Sequence, residues 1–319
     1  MVNNHSGRIK QILEILETSN RAVSGEELAA VLGVSRVAVW KIISGLKDKG
    51  YRIESNHSGY KLTASTDKPL PWELDSTAGP VEYHSQLDST MKKASSLLDA
   101  GCSDGTTVIA GTQNEGKNRS GGSWVSPDGG LYLTRIRTVP FPAFYSEIYT
   151  LVLAEVTVRT LRHSFSIEAY VDWPCGISSG GKKLGGILTE FKGSGDMILG
   201  AAAGIGLNLN TTSDLPENAA SLSSLTGVPV SVKQLAAELL HALDSADGSF
   251  PPSNAETLYN DCILQAGAAV IKTKNSDKKI RGRIIGLDLS GALIMETGDG
   301  HREYLFSGDE IEYEQQRQN

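Results

Sequence analysis

Two stretches of the chain combine cations, glycines and an aromatic ring at spacings suited to a flat, anionic ligand. Residues 113–124 read Gln-Asn-Glu-Gly-Lys-Asn-Arg-Ser-Gly-Gly-Ser-Trp, and residues 182–190 read Lys-Lys-Leu-Gly-Gly-Ile-Leu-Thr-Glu. In the first, Gly116 lets backbone approach closely, Lys117 and Arg119 supply positive charge, and Trp124 supplies a flat apolar surface. In the second, Lys183 leads straight into an apolar Gly-Gly strand that includes Gly186. A cation in such a setting calls for an anion to meet it. Phosphate charge needs cations and N–H donors, so together the stretches suit an adenylate-like ligand.

Such loops need elements to hold them. Hydrophobic patterning predicts strands over 106–110, 131–137, 167–171, 186–190 and 197–209. It predicts helices from Ser85 to about Ala100, over 147–161 and over 232–243. This mixture implies an α+β core on a largely antiparallel sheet. In the last fifty or so residues, 279–288 and 292–296 alternate as strands, with turns at Ser290-Gly and Asp299-Gly. That pattern predicts a small β-barrel.

The N-terminal end has a different plan. Ile9, Ile12, Leu13 and Leu16 lie at helical spacing. Residues 24–27 (Ser-Gly-Glu-Glu) form a capping box, and a second helix runs from it to Leu32. Ser35 then caps a third helix, from Arg36 to about Asp48, which Gly50 ends. Residues 51–63 alternate around His57-Ser-Gly as a hairpin would. Three helices and a hairpin are the winged helix-turn-helix plan; a plain helical bundle used for protein contact is the competing one. Residues 1–64 hold nine Lys/Arg against six Asp/Glu, although the whole chain has a net charge of −7. A basic head on an acidic body suits a polyanionic partner. Ser35 and Arg36 stand where a recognition helix meets base edges, while Lys41, Lys47 and Lys49 suit phosphates. Trp40 is expected in the core.

With 319 residues the chain has room for two or three domains. No apolar run reaches the ~18 residues of a membrane span, and the first residues lack the pattern of a signal peptide. Three widely spaced cysteines, Cys102, Cys175 and Cys262, argue against a disulfide framework. These features predict a cytoplasmic protein with no membrane partner.

Five local motifs occur in order: residues 88–90 (Asp-Ser-Thr), 105–113, 124–133, 183–190 and 204–210 (Gly-Ile-Gly-Leu-Asn-Leu-Asn). In these the chain resembles the bifunctional biotin protein ligases that also act as biotin operon repressors. The resemblance covers nearly the whole length. It implies a winged helix-turn-helix domain over 1–64, a linker over 65–74, a ligase core with a mixed or antiparallel sheet over 75–266, and a small SH3-like β-barrel over 267–319. It implies biotin and ATP as substrates, Mg2+ beside the phosphates with no ligands named by the sequence, a biotin carboxyl carrier protein as acceptor, operator DNA, and a homodimer. Ser89, Thr90, Gln113, Gly116, Lys117, Arg119, Lys183 and Gly186 are then expected around biotin. Lys117, Arg119, Trp124, Lys183 and Asn208 are expected around ATP, with Arg119 and Lys183 catalytic. Taken alone, Ser89-Thr90 reads as a helix cap, Trp124 as core and Asn208 as a turn.

The chain also departs from the family pattern. The loop motif Gly-Arg-Gly-Arg-x-Gly-Arg-x-Trp has Lys117, Asn118 and Gly122 at the first arginine, second glycine and last arginine. Lys-Trp-Pro-Asn-Asp becomes Asp172, Trp173, Pro174, Cys175 and Gly176. A cation is replaced by a carboxylate at Asp172 and an acid is lost at Gly176; Asp172 could supply the carboxylate missing there. Met91 stands where a polar residue is usual. Three readings remain: an active ligase and repressor, a ligand-sensing repressor with weak or no ligase activity, and a lipoate-type ligase.

Overall fold

The computed structural model describes residues 4–74, 78–211, 215–253, 255, 258, 263, 268–272, 279–307 and 310–313. Cys262 and the expected boundary at 266/267 lie outside the described residues. The chain divides into two units, Met1–Asp75 and Ser76–Asn319.

In the first unit, helical spacing of apolar residues builds α1 (Asn4–Thr18), α2 (Gly25–Leu32) and α3 (Arg36–Asp48), and alternation builds the hairpin of β1 (Arg52–Asn56) and β2 (Gly59–Ala64). Ile12, Leu28, Val39, Ile43 and Leu46 form the interior. Ser24 and Ser35 cap α2 and α3 by accepting bonds from the N–H groups of Glu27 and Ala38. The capping box is only half made, because the Glu27 carboxylate turns outward to Arg21, 3.1 Å from Nη1.

Two sequence expectations fail in this unit. Trp40 is 58% exposed rather than in the core. The inward stripe of α3 is Val39, Ile42, Ile43 and Leu46, which places residue 40 on the opposite face. Residues 65–74 are not a free linker either. Leu70 and Leu74 are buried, the Trp72 indole donates to the Tyr51 hydroxyl at 2.9 Å, and that hydroxyl donates to Glu73.

The second unit contains β3 (Val81–Leu87), α4 (Thr90–Asp99), β4 (Thr107–Gln113), β5 (Leu131–Arg137), β6 (Phe141–Pro142), α5 (Ser146–Phe165), β7 (Tyr170–Asp172), β8 (Gly176–Ser179), β9 (Lys182–Ser194), β10 (Met197–Leu207), α6 (Leu222–Thr226) and α7 (Val232–Gly248). The main sheet runs β3-β4-β5-β10-β9-β8-β7, with β6 paired to β10. It is mixed: β3 and β4 are parallel and the other pairs antiparallel. The expected helix from Ser85 is shorter, because residues 85–87 belong to β3. Every residue of β5 is buried, and Ala201, Ala203 and Ile205 of β10 are 0–2% exposed, so these strands form the middle of the core.

Burial in β5 includes two arginines. Arg135 meets Asp244 and, at 2.7 Å, Asp247, both on α7. Arg137 reaches Asp247 at 3.2 Å and the Asp247 carbonyl at 2.9 Å. Its guanidinium lies 5.4–6.0 Å from the rings of Phe141, Tyr149 and Phe250. Burial alone favours a neutral Arg135, but Asp247 and Asp244 reverse that and hold its charge. This cluster fastens α7 to the sheet.

At the C-terminal end, β11 (Ala268–Lys272), β12 (Lys279–Leu287), β13 (Leu293–Thr297), β14 (Arg302–Leu305) and β15 (Glu310–Tyr313) form an antiparallel sheet in the order β14-β13-β12-β11-β15. Its Gly291 turn seats against α5. A Cβ there would lie 2.8 Å from the Glu147 Cβ, and φ is +90°. The Trp173 indole donates to the Gly291 carbonyl at 3.1 Å.

Candidate functional site

The 116–124 loop closes on itself. The Trp124 N–H donates to the Gly116 carbonyl at 2.8 Å, and the Asn118 N–H to the Gly122 carbonyl at 2.9 Å. A Cβ on Gly116 would lie 2.5 Å from the Trp124 carbonyl oxygen, so this glycine admits the chain's own backbone rather than a ligand. The Asn118 side chain accepts from Ser120 and from the Gly122 N–H, both at 2.9 Å. The left-handed residue of the turn is Gly121, at φ +83°, so Asn118 serves through its hydrogen bonds and not through a left-handed backbone.

Beneath the loop, two glycines on β10 make shelves. A Cβ on Gly204 would strike the Met91 sulfur at 2.8 Å, and one on Gly206 would strike the Trp124 indole nitrogen at 2.7 Å. Met91 and Trp124 therefore lie against bare backbone. The Trp124 indole N–H is buried without a protein partner.

A hollow of about 80 Å³ opens between loop, α4 and sheet. Of the expected residues, Ser89, Thr90, Gln113, Lys117, Arg119, Trp124, Lys183 and Gly186 line it, and Gly116 does not. Its floor is apolar: Met91, Leu133, Ile187 and Ile205. At its polar end, Gln113 Oε1 accepts from the Thr90 N–H at 2.8 Å and the Thr90 hydroxyl at 3.1 Å. Gln113 Nε2 donates to Ser126 at 2.9 Å, and the Thr134 hydroxyl donates to Thr90 at 2.8 Å. This leaves Gln113 one N–H and Thr90 one lone pair for a ligand.

A second hollow of about 160 Å³ adjoins the first, bounded by Val125, Asn208, Leu215, Pro216, Asn218 and Ala219. Asn118, Trp124 and Lys183 line both hollows. The Lys183 ammonium stands 5.5 Å from the Trp124 ring centroid. Its backbone is fixed on both sides: its N–H donates to the Asn218 carbonyl at 2.9 Å, and its carbonyl accepts from Ala220 at 3.0 Å. Asn208 is 3% exposed, and its Oδ1 is buried with no protein partner. A buried acceptor left open beside a cavity awaits a donor.

Arg119 lines the first hollow and donates to the Ser307 carbonyl in the turn after β14. Cys175 also lines it. Burial pushes the Cys175 thiol up, against the opposing effect of Arg119 and Lys183, so it is neutral at pH 7. Asp172 and Gly176, the other departures from the motif, line neither hollow. They are Cα partners across the β7–β8 hairpin, and a Cβ on Gly176 would sit 3.3 Å from the Asp172 carboxylate. No group of three or more His, Cys, Asp or Glu suited to a metal occurs among the described residues.

Sequence reasoning missed the wall made by Leu215, Pro216, Asn218 and Ala219, none of them charged, and Asn118 as a residue common to both hollows. On the first unit, Ser35, Arg36, Lys41 and Lys47 are all exposed. Ser35 is engaged as a helix cap, Arg36 pairs with Glu26 at 2.9 Å, and Lys47 donates to Ser55 at 2.8 Å.

Three family profiles match in succession: an HTH domain over residues 8–61, the biotin/lipoate A/B protein ligase family over 83–210, and a biotin protein ligase C-terminal domain over 267–309. The chain is 28% identical to the bifunctional ligase/repressor BirA of Bacillus subtilis, over 94% of this chain and 97% of that one. It is 30% identical to the Escherichia coli protein of the same name, over 86% and 88%. In structure it is similar to a biotin protein ligase from Aquifex aeolicus, solved in complex with biotin and ATP. The TM-score is 0.59 at 22% identity, over 73% of this chain and 99% of that one, a likeness of fold.

Proposed function

The chain belongs to the family of bifunctional biotin ligase/repressors, and on that footing we propose that it joins biotin to ATP, passes the biotinyl group to a carrier-protein lysine, and represses transcription through its N-terminal unit. The observation that carries the reading is the sharing of Lys183 and Trp124 by two adjoining hollows. A biotinyl-adenylate has two bodies joined by an acyl phosphate. The apolar-floored hollow suits biotin, whose polar ureido group would meet Ser89, Thr90 and Gln113. The second suits the nucleotide, with Asn208 Oδ1 facing an amino donor. The joint then falls beside Lys183.

In the first step a biotin carboxylate oxygen attacks the α-phosphorus and pyrophosphate leaves; Lys183 and Arg119 offset the charge that builds on the phosphoryl oxygens, and Lys117 adds to the field. In the second, the carrier lysine amine attacks the acyl carbon and AMP leaves. Both hollows are smaller than the ~300 Å³ at which ligand sites usually begin, so loading requires the 116–124 loop to lift. The Arg119–Ser307 bond ties that movement to the C-terminal sheet. Neither hollow is lined by a carboxylate, so these residues do not fit a protein-held magnesium. The Mg2+ expected here is the counter-ion of the ATP substrate.

Only Cys175 among the Asp172, Cys175 and Gly176 departures touches a hollow, which favours retained ligase activity over a repressor that merely senses ligand. The direct test is pyrophosphate exchange with biotin and ATP, followed by transfer to a carrier domain. Biotin-dependent exchange is expected. Biotin binding with no exchange would leave the sensing repressor, and exchange driven by lipoate alone would overturn the choice of substrate.

We extend the proposal to a homodimer built on the surface where β6 meets the start of β10. Val139, Phe144 and Leu199 are 48%, 59% and 50% exposed and are grouped there by the pairing of Met197–Ile198 with Phe141–Pro142. Asp at both 144 and 199 is expected to give monomers in sedimentation experiments with unchanged circular dichroism. Dimers of unaltered strength would remove this surface from consideration. No single described helix is long and apolar enough to cross a membrane.

A further inference from the structure

The recognition helix carries an apolar face that the DNA-binding reading does not yet use. Val37 and Trp40 are 63% and 58% exposed, and they lie three residues apart on the side of α3 turned away from the core stripe. Both line an open groove of about 580 Å³ whose other wall is the hairpin, with Ser55, Asn56 and His57. Arg36 lines the groove beside the pair, and Lys41 and Lys47 stand exposed on the same helix. The acid facing this groove from α2 is Glu26, which is paired with Arg36. An apolar pair in a groove, on a helix that also exposes three cations, suits a duplex, with phosphates outside and base edges within.

We propose that Val37 and Trp40 read thymine in the major groove, seating its 5-methyl group against the indole and the valine. This rests on the DNA-binding reading and adds the base that is sought. An indole offers an apolar body and one N–H donor, with no acceptor. The major-groove edge of thymine offers a methyl group and the O4 acceptor, with no donor. Adenine and cytosine each present an amino donor that an indole cannot satisfy, and guanine has acceptors but no methyl group. The preferred half-site therefore places thymine opposite the first turns of α3.

The test uses the full chain with biotin and ATP. Duplexes are selected from a random pool, and the selected duplex is then made with deoxyuridine in place of each thymine. At one or two positions, loss of the methyl group should weaken binding about fourfold, the equivalent of one buried methylene. Trp40→Ala should bind the thymine duplex about tenfold more weakly, in the range of one lost base contact, and should no longer distinguish deoxyuridine. Trp40→Phe should keep the methyl response with part of the affinity, which guards against a folding artefact. Tight selection with no methyl response in the parent, or an equal response in parent and Trp40→Ala, overturns the thymine assignment alone. Failure to select any duplex overturns the DNA-binding reading and this one with it. A change in sedimentation on Trp40→Ala, without a methyl response, would make the face a contact between copies of the chain.

Discussion

Lys183→Ala should lower biotinyl-adenylate formation by about 10²–10³-fold, the usual effect of removing one preorganised donor to a developing oxyanion. Lys183 lines both hollows, and its backbone is held on each side by Asn218 and Ala220, so its position does not depend on ligand. Negative charge gathers on the phosphoryl oxygens as the biotin carboxylate attacks, and that is the moment the ammonium counts most. The loss should therefore fall mainly on kcat, with a smaller rise in the KM for biotin, whose ring is proposed to meet Ser89, Thr90 and Gln113 at the polar end of the first hollow. Lys183→Arg keeps charge but replaces a compact ammonium with a planar fork, and should recover only part of the rate. Pyrophosphate exchange at saturating ATP measures all three proteins. Exchange by the alanine variant within about threefold of the parent, under ~1 kcal/mol of barrier, would place the acyl-phosphate elsewhere.

The second large effect concerns stability. Asp247→Ala should destabilise the Ser76–Asn319 unit by about 3–5 kcal/mol, because removing one partner of a buried ionic cluster leaves uncompensated charge. Asp247 serves both Arg135 and Arg137, whose side chains are 1% and 6% exposed, and it also accepts from Tyr149 at 3.3 Å. The Tyr149 hydroxyl is pushed up, first by burial and then by Asp247, so it stays a neutral donor and cannot take over the aspartate's charge. At roughly 2–4 °C per kcal/mol for a unit of this size, the thermal midpoint should fall by about 6–20 °C. A fall of under about 2 °C would mean that water or Asp244 alone compensates the arginines. Replacing Arg135 and Arg137 together with Asp244 and Asp247 by apolar residues of similar volume should restore most of the midpoint.

The elements whose signal is local were legible in the sequence. Ser24 and Ser35 announced the starts of α2 and α3, and the apolar periods of α1, α5 and α7 gave their cores. The cations that line the first hollow, Lys117, Arg119 and Lys183, were legible because cations among glycines have few structural uses. What escaped depends on partners distant in sequence. β3 pairs in parallel with β4, and its residues 81–87 are only partly buried, so their alternation is weak. Trp40 was misplaced because residue type was weighed above its angular position on α3. The 215–219 wall is defined by where Lys183 sits, not by its own residues. Nothing in the two arginines of a buried β5 pointed to Asp244 and Asp247 more than a hundred residues away.

The bonds from Trp72 to Tyr51 and from Tyr51 to Glu73 set how much chain the DNA-reading unit needs in order to be portable. A fragment cut after Ala64 would keep all three helices and the hairpin. It would also strip Leu70 and Leu74 from the interior and leave the Tyr51 hydroxyl without its acceptor. Grafted onto another protein, such a piece would carry an exposed apolar seam, whereas one extended through Leu74 brings its own cover.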